Sequence, residues 1–167
     1  MILSCTSTVD FDQLENIEFD QSFTASFIFL NLTQNQFLNA DNSAEVATLT
    51  DVSIIDIFNS EYVQENLVQA DFNFDVENTF NRNFDVEFSF LNEDDSITES
   101  FTFNVPNNGK LNHLQRFDGL GLLSLKRSRK LRITIYLQPS SDLSILDKDV
   151  QMNLNLKSST NFIFKIN

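Results

Sequence analysis

A chain of 167 residues, 41% apolar and 21% charged, has the size and composition of one globular domain, able to bury roughly 70% of its unfolded surface without a disulfide or metal. Its formal charge of -13 at pH 7 repels phosphate at long range and argues against nucleic acid as a partner, and no apolar run approaches the ~20 residues of a membrane-crossing helix. A single Cys and a single His exclude an intrachain disulfide and leave no cysteine- or histidine-rich zinc site.

At the start of the chain stands Ile2-Leu3-Ser4-Cys5, a small residue directly before the lone cysteine, followed by the polar stretch Thr6-Ser7-Thr8-Val9-Asp10. This resembles the lipobox of bacterial lipoproteins, whose cysteine receives diacylglycerol. The basic and apolar leader segments of a signal peptide are not among the four residues before Cys5, so the resemblance covers the box alone. It implies lipidation at Cys5, a tether over residues 1–8, one domain over residues 9–167, and a cell-envelope, outer-membrane location held by the lipid chains.

Phe23, Ala25, Phe27 and Phe29 alternate with Thr24, Ser26, Ile28 and Leu30, which predicts a strand apolar on both faces and central in its sheet. In Glu45 to Phe58 the apolar phase shifts near Asp51, predicting a bulge or break there. Asn59 to Asn66 is polar and suits a turn or one helical turn. From Val68 to Val105 three runs of period 2 follow, written largely in Phe, and they predict a meander. With Asn78 to Arg82 as a five-residue hairpin loop, Phe74 faces Val86 and Asp75 faces Asp85. A turn at Glu93-Asp94-Asp95-Ser96 sets Phe88 against Phe101 and Phe90 against Glu99, and Pro106 ends the third strand.

Asn107 to Leu125 is the least regular part, with turns at Asn107-Asn108-Gly109 and Gly119-Leu120-Gly121. Lys126 to Arg132 holds five of the eleven bases and leads into a strand through Leu131, Ile133, Ile135 and Leu137, stopped at Pro139. The last segment reads as a hairpin, Val150 to Leu156 and Phe162 to Ile166, turning at Lys157 to Asn161. Eight or nine short strands without an amphipathic helix predict an all-β, two-sheet antiparallel sandwich, Ig-like or jelly-roll-like, with a flattened barrel as the alternative.

Charge is divided along the chain. Met1 to Val105 carries 11 Asp and 9 Glu against one base, Arg82, whereas Pro106 onward carries ten bases against Asp118, Asp142, Asp147 and Asp149. Since both halves carry strand patterns, the expectation is mutual complementation within one domain. The candidate anion-binding face is Lys126, Arg127, Arg129, Lys130, Arg132 and Tyr136, suited to an anionic glycan or a lipid headgroup. Asp10/Asp12, Glu93, Asp94 and Asp95, and Asp147 and Asp149 offer the oxygen ligands that calcium prefers, without the EF-hand spacing. His113 has no Gly-x-Ser-x-Gly elbow beside it and reads as structural or surface-exposed.

Together these features predict a non-enzymatic, envelope-associated β-sandwich of adhesion, assembly or accessory binding type, without a cofactor and with an envelope protein or glycan as partner. Two alternatives stand behind it: the anionic-ligand module on Lys126 to Arg132, and a carboxylate-based hydrolase.

Overall fold

A computed structural model describes residues 19–166. Its strands are β1 (Phe19–Thr33), β2 (Thr48–Ile54), β3 (Leu67–Asn78), β4 (Phe84–Leu91), β5 (Ile97–Val105), β6 (Gly109–Phe117), β7 (Lys130–Leu137) and β8 (Asn153–Ile166), with short helices α1 (Glu61–Asn66) and α2 (Gly119–Leu125). They form two antiparallel sheets of four, ordered β1-β8-β3-β6 and β2-β7-β4-β5. Every connection except β4–β5 passes from one sheet to the other, which is the wrapping of an eight-stranded jelly roll. Among the described strands no ladder joins the two sheets, so the architecture is a sandwich and not a flattened barrel.

The alternating phenylalanines do what period 2 demands. Ala70, Phe72, Phe74 and Val76 of β3 are buried, as are Phe84, Val86, Phe88 and Phe90 of β4. The Phe74 ring lies 4.7 Å from Phe88, 5.4 Å from Phe103 and 5.6 Å from Phe101, and Phe72 lies 5.6 Å from Phe90. The β4–β5 register is the expected one, Phe88 opposite Phe101 and Phe90 opposite Glu99. In the turn that sets it, Asn92 Oδ1 accepts hydrogen bonds from the amides of Asp94 (3.0 Å) and Ser96 (2.9 Å), and Asp95 takes the left-handed φ of 61° that Asp tolerates.

The expected β3–β4 hairpin is wrong: these strands face each other across the sandwich instead of lying side by side. The connection holds Phe80, fully buried 5.0 Å from Phe84 and 5.7 Å from Phe37, which a surface hairpin loop would leave in water. Asn78 fixes this crossing. Its Nδ2 donates to the carbonyls of Arg82 (2.8 Å) and Pro106 (2.9 Å), and its Oδ1 accepts from the Phe80 amide at 2.8 Å. Asp75 and Asp85 therefore sit on opposite outer faces, Asp75 across from Asn112 and Lys157, Asp85 across from Asn104 and Tyr136.

Four further expectations are corrected. β1 is an edge strand, with Phe29 and Phe23 exposed, and not a central one. Its register against β8 slips between Ser26 and Phe29, so Phe27 and Ile28 both pack against the core and the Ile28 amide donates to Ser158 Oγ at 2.9 Å. β2 is regular through Asp51, so the bulge expected there lies in β1 instead. Gly109–Phe117 is a strand whose inward positions include His113 and Gln115, polar residues that hide the alternation. Residues 153–166 are one strand between β1 and β3, not a hairpin, because Ser158 and Thr160 keep the inward phase of Leu154, Leu156, Phe162 and Phe164.

The two halves of the chain complement each other in charge. Lys110 pairs with Glu77 (3.1 Å), Arg116 with Asp71 (2.8 Å), Arg129 with Glu93 (3.9 Å) and Lys130 with Asp95 (2.7 Å).

Candidate functional site

The basic segment divides between two settings. Residues 126–129 follow α2 and precede β7, so Lys126, Arg127 and Arg129 do not belong to the strand face. Lys126 is buried and its Nζ donates to the Gln64 carbonyl at 2.8 Å, burial lowering its pKa below the usual lysine value. Arg127 donates to Ser124 Oγ at 3.1 Å. Arg129 donates to the carbonyls of Lys126 and Ser128. Lys130, Arg132 and Tyr136 do share the outer face of the β2-β7-β4-β5 sheet. There Lys130 is tied to Asp95, and the Tyr136 hydroxyl donates to Glu87 Oε2 at 3.2 Å. Burial, followed by the Glu87 carboxylate, raises the Tyr136 phenol above its ordinary pKa.

The acidic candidates are separated. Glu93, Asp94 and Asp95 form the β4–β5 turn, while Asp147 and Asp149 precede β8 at the other end of the sandwich, where Asp147 Oδ1 accepts from the Asp149 amide at 2.9 Å. Among the described residues no three His, Cys, Asp or Glu side chains gather into a set that could hold a metal ion. His113 packs against Phe103 (4.8 Å), Phe101 (6.0 Å) and Phe74 (6.2 Å), and its Nε2 is buried without a hydrogen-bond partner among the described residues. Cys5, Asp10 and Asp12 lie outside the described residues.

What the sequence reading missed is a cleft of about 470 Å³ between the two sheets, on the side where edge strands β1 and β2 face one another. Two local choices open it. In β2 the polarity is inverted. Asp51 and Ser53 sit opposite the core residues Ile133 and Leu131 and line the cleft, while Val52 and Ile54 point to the outer face and are exposed. In β8 the position that would fill the gap is Thr160, opposite the small Ala25 of β1, so no large side chain closes the layer there. The walls are Phe27, Phe58, Phe72, Phe162, Leu131 and Ile133, with Phe27 and Phe72 only 4.9 Å apart.

Two features of this cleft are chemically distinctive. Thr160 is 1% exposed, yet its Oγ1 has no hydrogen-bond partner among the described residues, although a hydroxyl buried in this way costs about 1–3 kcal/mol when unpaired. The charged side chains of the lining are Asp51 and Asp56, both exposed and both acids. The one signal in the sequence was the phase shift at Asp51, which records the inversion of β2 and not a bulge.

No family model matches the sequence, and no curated protein matches it significantly. Among solved structures, the chain is similar over 99% of its length to 35% of the infectious bursal disease virus VP2 chain of a subviral particle (8% identity, TM-score 0.47). It is similar over 67% of its length to 37% of a protein from Parabacteroides distasonis (16% identity, TM-score 0.47). It is also similar over 95% of its length to 21% of the bacteriophage CBA120 tailspike protein 4 (13% identity, TM-score 0.39). The chain thus spans little more than a third, or less, of each of these structures, and the likeness is one of fold alone.

Proposed function

We propose that this protein is a non-catalytic binding module of a bacterial cell envelope that takes an apolar group into the β1–β2 cleft. The observation that carries the reading is an apolar volume of about 470 Å³ opened between the two sheets by the inverted β2 and the small Ala25. Ligand sites of about 300–1,000 Å³ are mostly apolar and hold a small number of polar groups that set orientation, and this cleft fits that description. The envelope location is supported by the lipobox-like Ile2-Leu3-Ser4-Cys5. The accessory binding role is favoured over the anionic-ligand role because Lys126, Arg129 and Lys130 are already held by partners of their own chain.

The cleft is tested by titrating Nile red, a neutral dye whose emission rises in apolar surroundings. One saturable site is expected, and Ala25→Phe, placing a ring beside Thr160, abolishes it while the far-ultraviolet circular dichroism stays that of a β-sandwich. Dye binding that survives Ala25→Phe rejects the site. The location is tested separately by mass spectrometry of the protein from its native host, where Cys5 is expected to carry diacylglycerol; an unmodified thiol rejects the anchor.

A further inference from the structure

On the premise that the cleft is the binding site, we infer that its ligand is a small amphipathic cation: an apolar chain or ring bearing an ammonium head. Two independent features select that chemistry.

The first is charge. Asp51 and Asp56 line the cleft and no Lys, Arg or His does, in a protein whose formal charge is -13. A carboxylate or phosphate head would approach two acids with no compensating base; an ammonium would meet them with attraction. Asp51 reaches this place because β2 turns its inward phase to Asp51 and Ser53, a costly arrangement for a strand that would otherwise bury Val52 and Ile54 against Leu131 and Ile133. Asp56 follows on the same run, just past the buried Ile55.

The second is the wall. Phe27, Phe58, Phe72 and Phe162 all line the cleft. Ring faces attract a cation within about 6 Å and offer an anion nothing comparable.

The experiment compares three ten-carbon probes of the same chain length, decylammonium, 1-decanol and decanoate, by isothermal titration calorimetry below their aggregation concentrations, with the full chain. Decylammonium is expected to bind at least tenfold more tightly than decanoate, with decanol between them. In the double variant Asp51→Asn, Asp56→Asn the ratio of decylammonium to decanoate affinity is expected to fall to within threefold. Equal or tighter binding of decanoate by the unaltered chain overturns the cation inference and leaves the apolar cleft standing. A preference that persists in the double variant also overturns it, since the selecting charge then lies elsewhere. No binding of any probe by the folded, unaltered chain removes the cleft reading together with it.

Discussion

Phe74 and Phe29 both sit in period-2 runs of phenylalanine, yet the fold gives them opposite surroundings. Phe74 is 2% exposed and touches rings from β4 and β5, whereas Phe29 is 66% exposed on edge strand β1. Removing a buried Phe side chain costs about 3–5 kcal/mol, because the lost transfer free energy is joined by the cavity left behind. With a urea slope of about 2 kcal/mol per molar, Phe74→Ala should lower the unfolding midpoint by about 2 M. Phe29→Ala, which opens no cavity, should cost less than about 1 kcal/mol and move the midpoint by under about 0.5 M. Urea titrations followed by circular dichroism measure both. Equal shifts for the two variants would mean that β1 is packed on both faces, as the sequence pattern alone predicts, and would refute the edge assignment.

Further outcomes follow from the polar contacts. The Asp71 carboxylate is held below its ordinary pKa chiefly by the hydrogen bond from Arg116, at 2.8 and 2.9 Å. Its contribution is thus present above the unfolded value of about 3.9 and is lost as the pH falls through the lower folded value. Because Arg116 is half exposed, the effect should stay under about 1 kcal/mol, visible as a shallower loss of stability between pH 5 and pH 2 in Asp71→Asn. Arg82, 3% exposed, pairs with Glu45 at 3.2 Å and donates to the Ser144 carbonyl, so Arg82→Met should cost about 1–3 kcal/mol by leaving Glu45 with the Leu146 amide as its remaining partner and the Ser144 carbonyl without its donor. A melting curve in which Arg82→Met is no less stable than the unaltered chain would refute that role. Thr160→Val removes an unpaired hydroxyl without changing shape, and should raise the ligand-free melting temperature by a few degrees; a lower melting temperature would mean that the hydroxyl is satisfied.

Much of the architecture is legible in the sequence wherever one face of a strand is apolar and the other polar. In β3, β4 and β5 that contrast fixes which side chains turn inward, and Asn92 with Asp95 marks the hairpin. Pattern says nothing, however, about which strand lies beside which. The same alternation suits lateral neighbours and facing layers equally, and only the buried Phe80 in the connection distinguishes them. In β6 and β8 the inward positions include His113, Gln115, Ser158 and Thr160, whose polarity reads as loop although their phase is unbroken. Clustering of the bases along the chain does not reveal that Lys126 turns inward to a carbonyl of α1. The cleft was illegible because it arises from what is small or misplaced, Ala25 and the inverted β2, and a missing side chain leaves no mark in a composition.

β8 lies between β1 and β3, so nearly the whole described chain must leave the ribosome before the first sheet can exist. Until then β1 and β3 each present an unsatisfied edge, 15 and 12 residues long. A nascent chain in that condition is slow to assemble and exposed to aggregation, and equally it is easy to keep extended. Late closure of this kind leaves β1 and β3 open to pairing with the edges of other chains until the last strand docks.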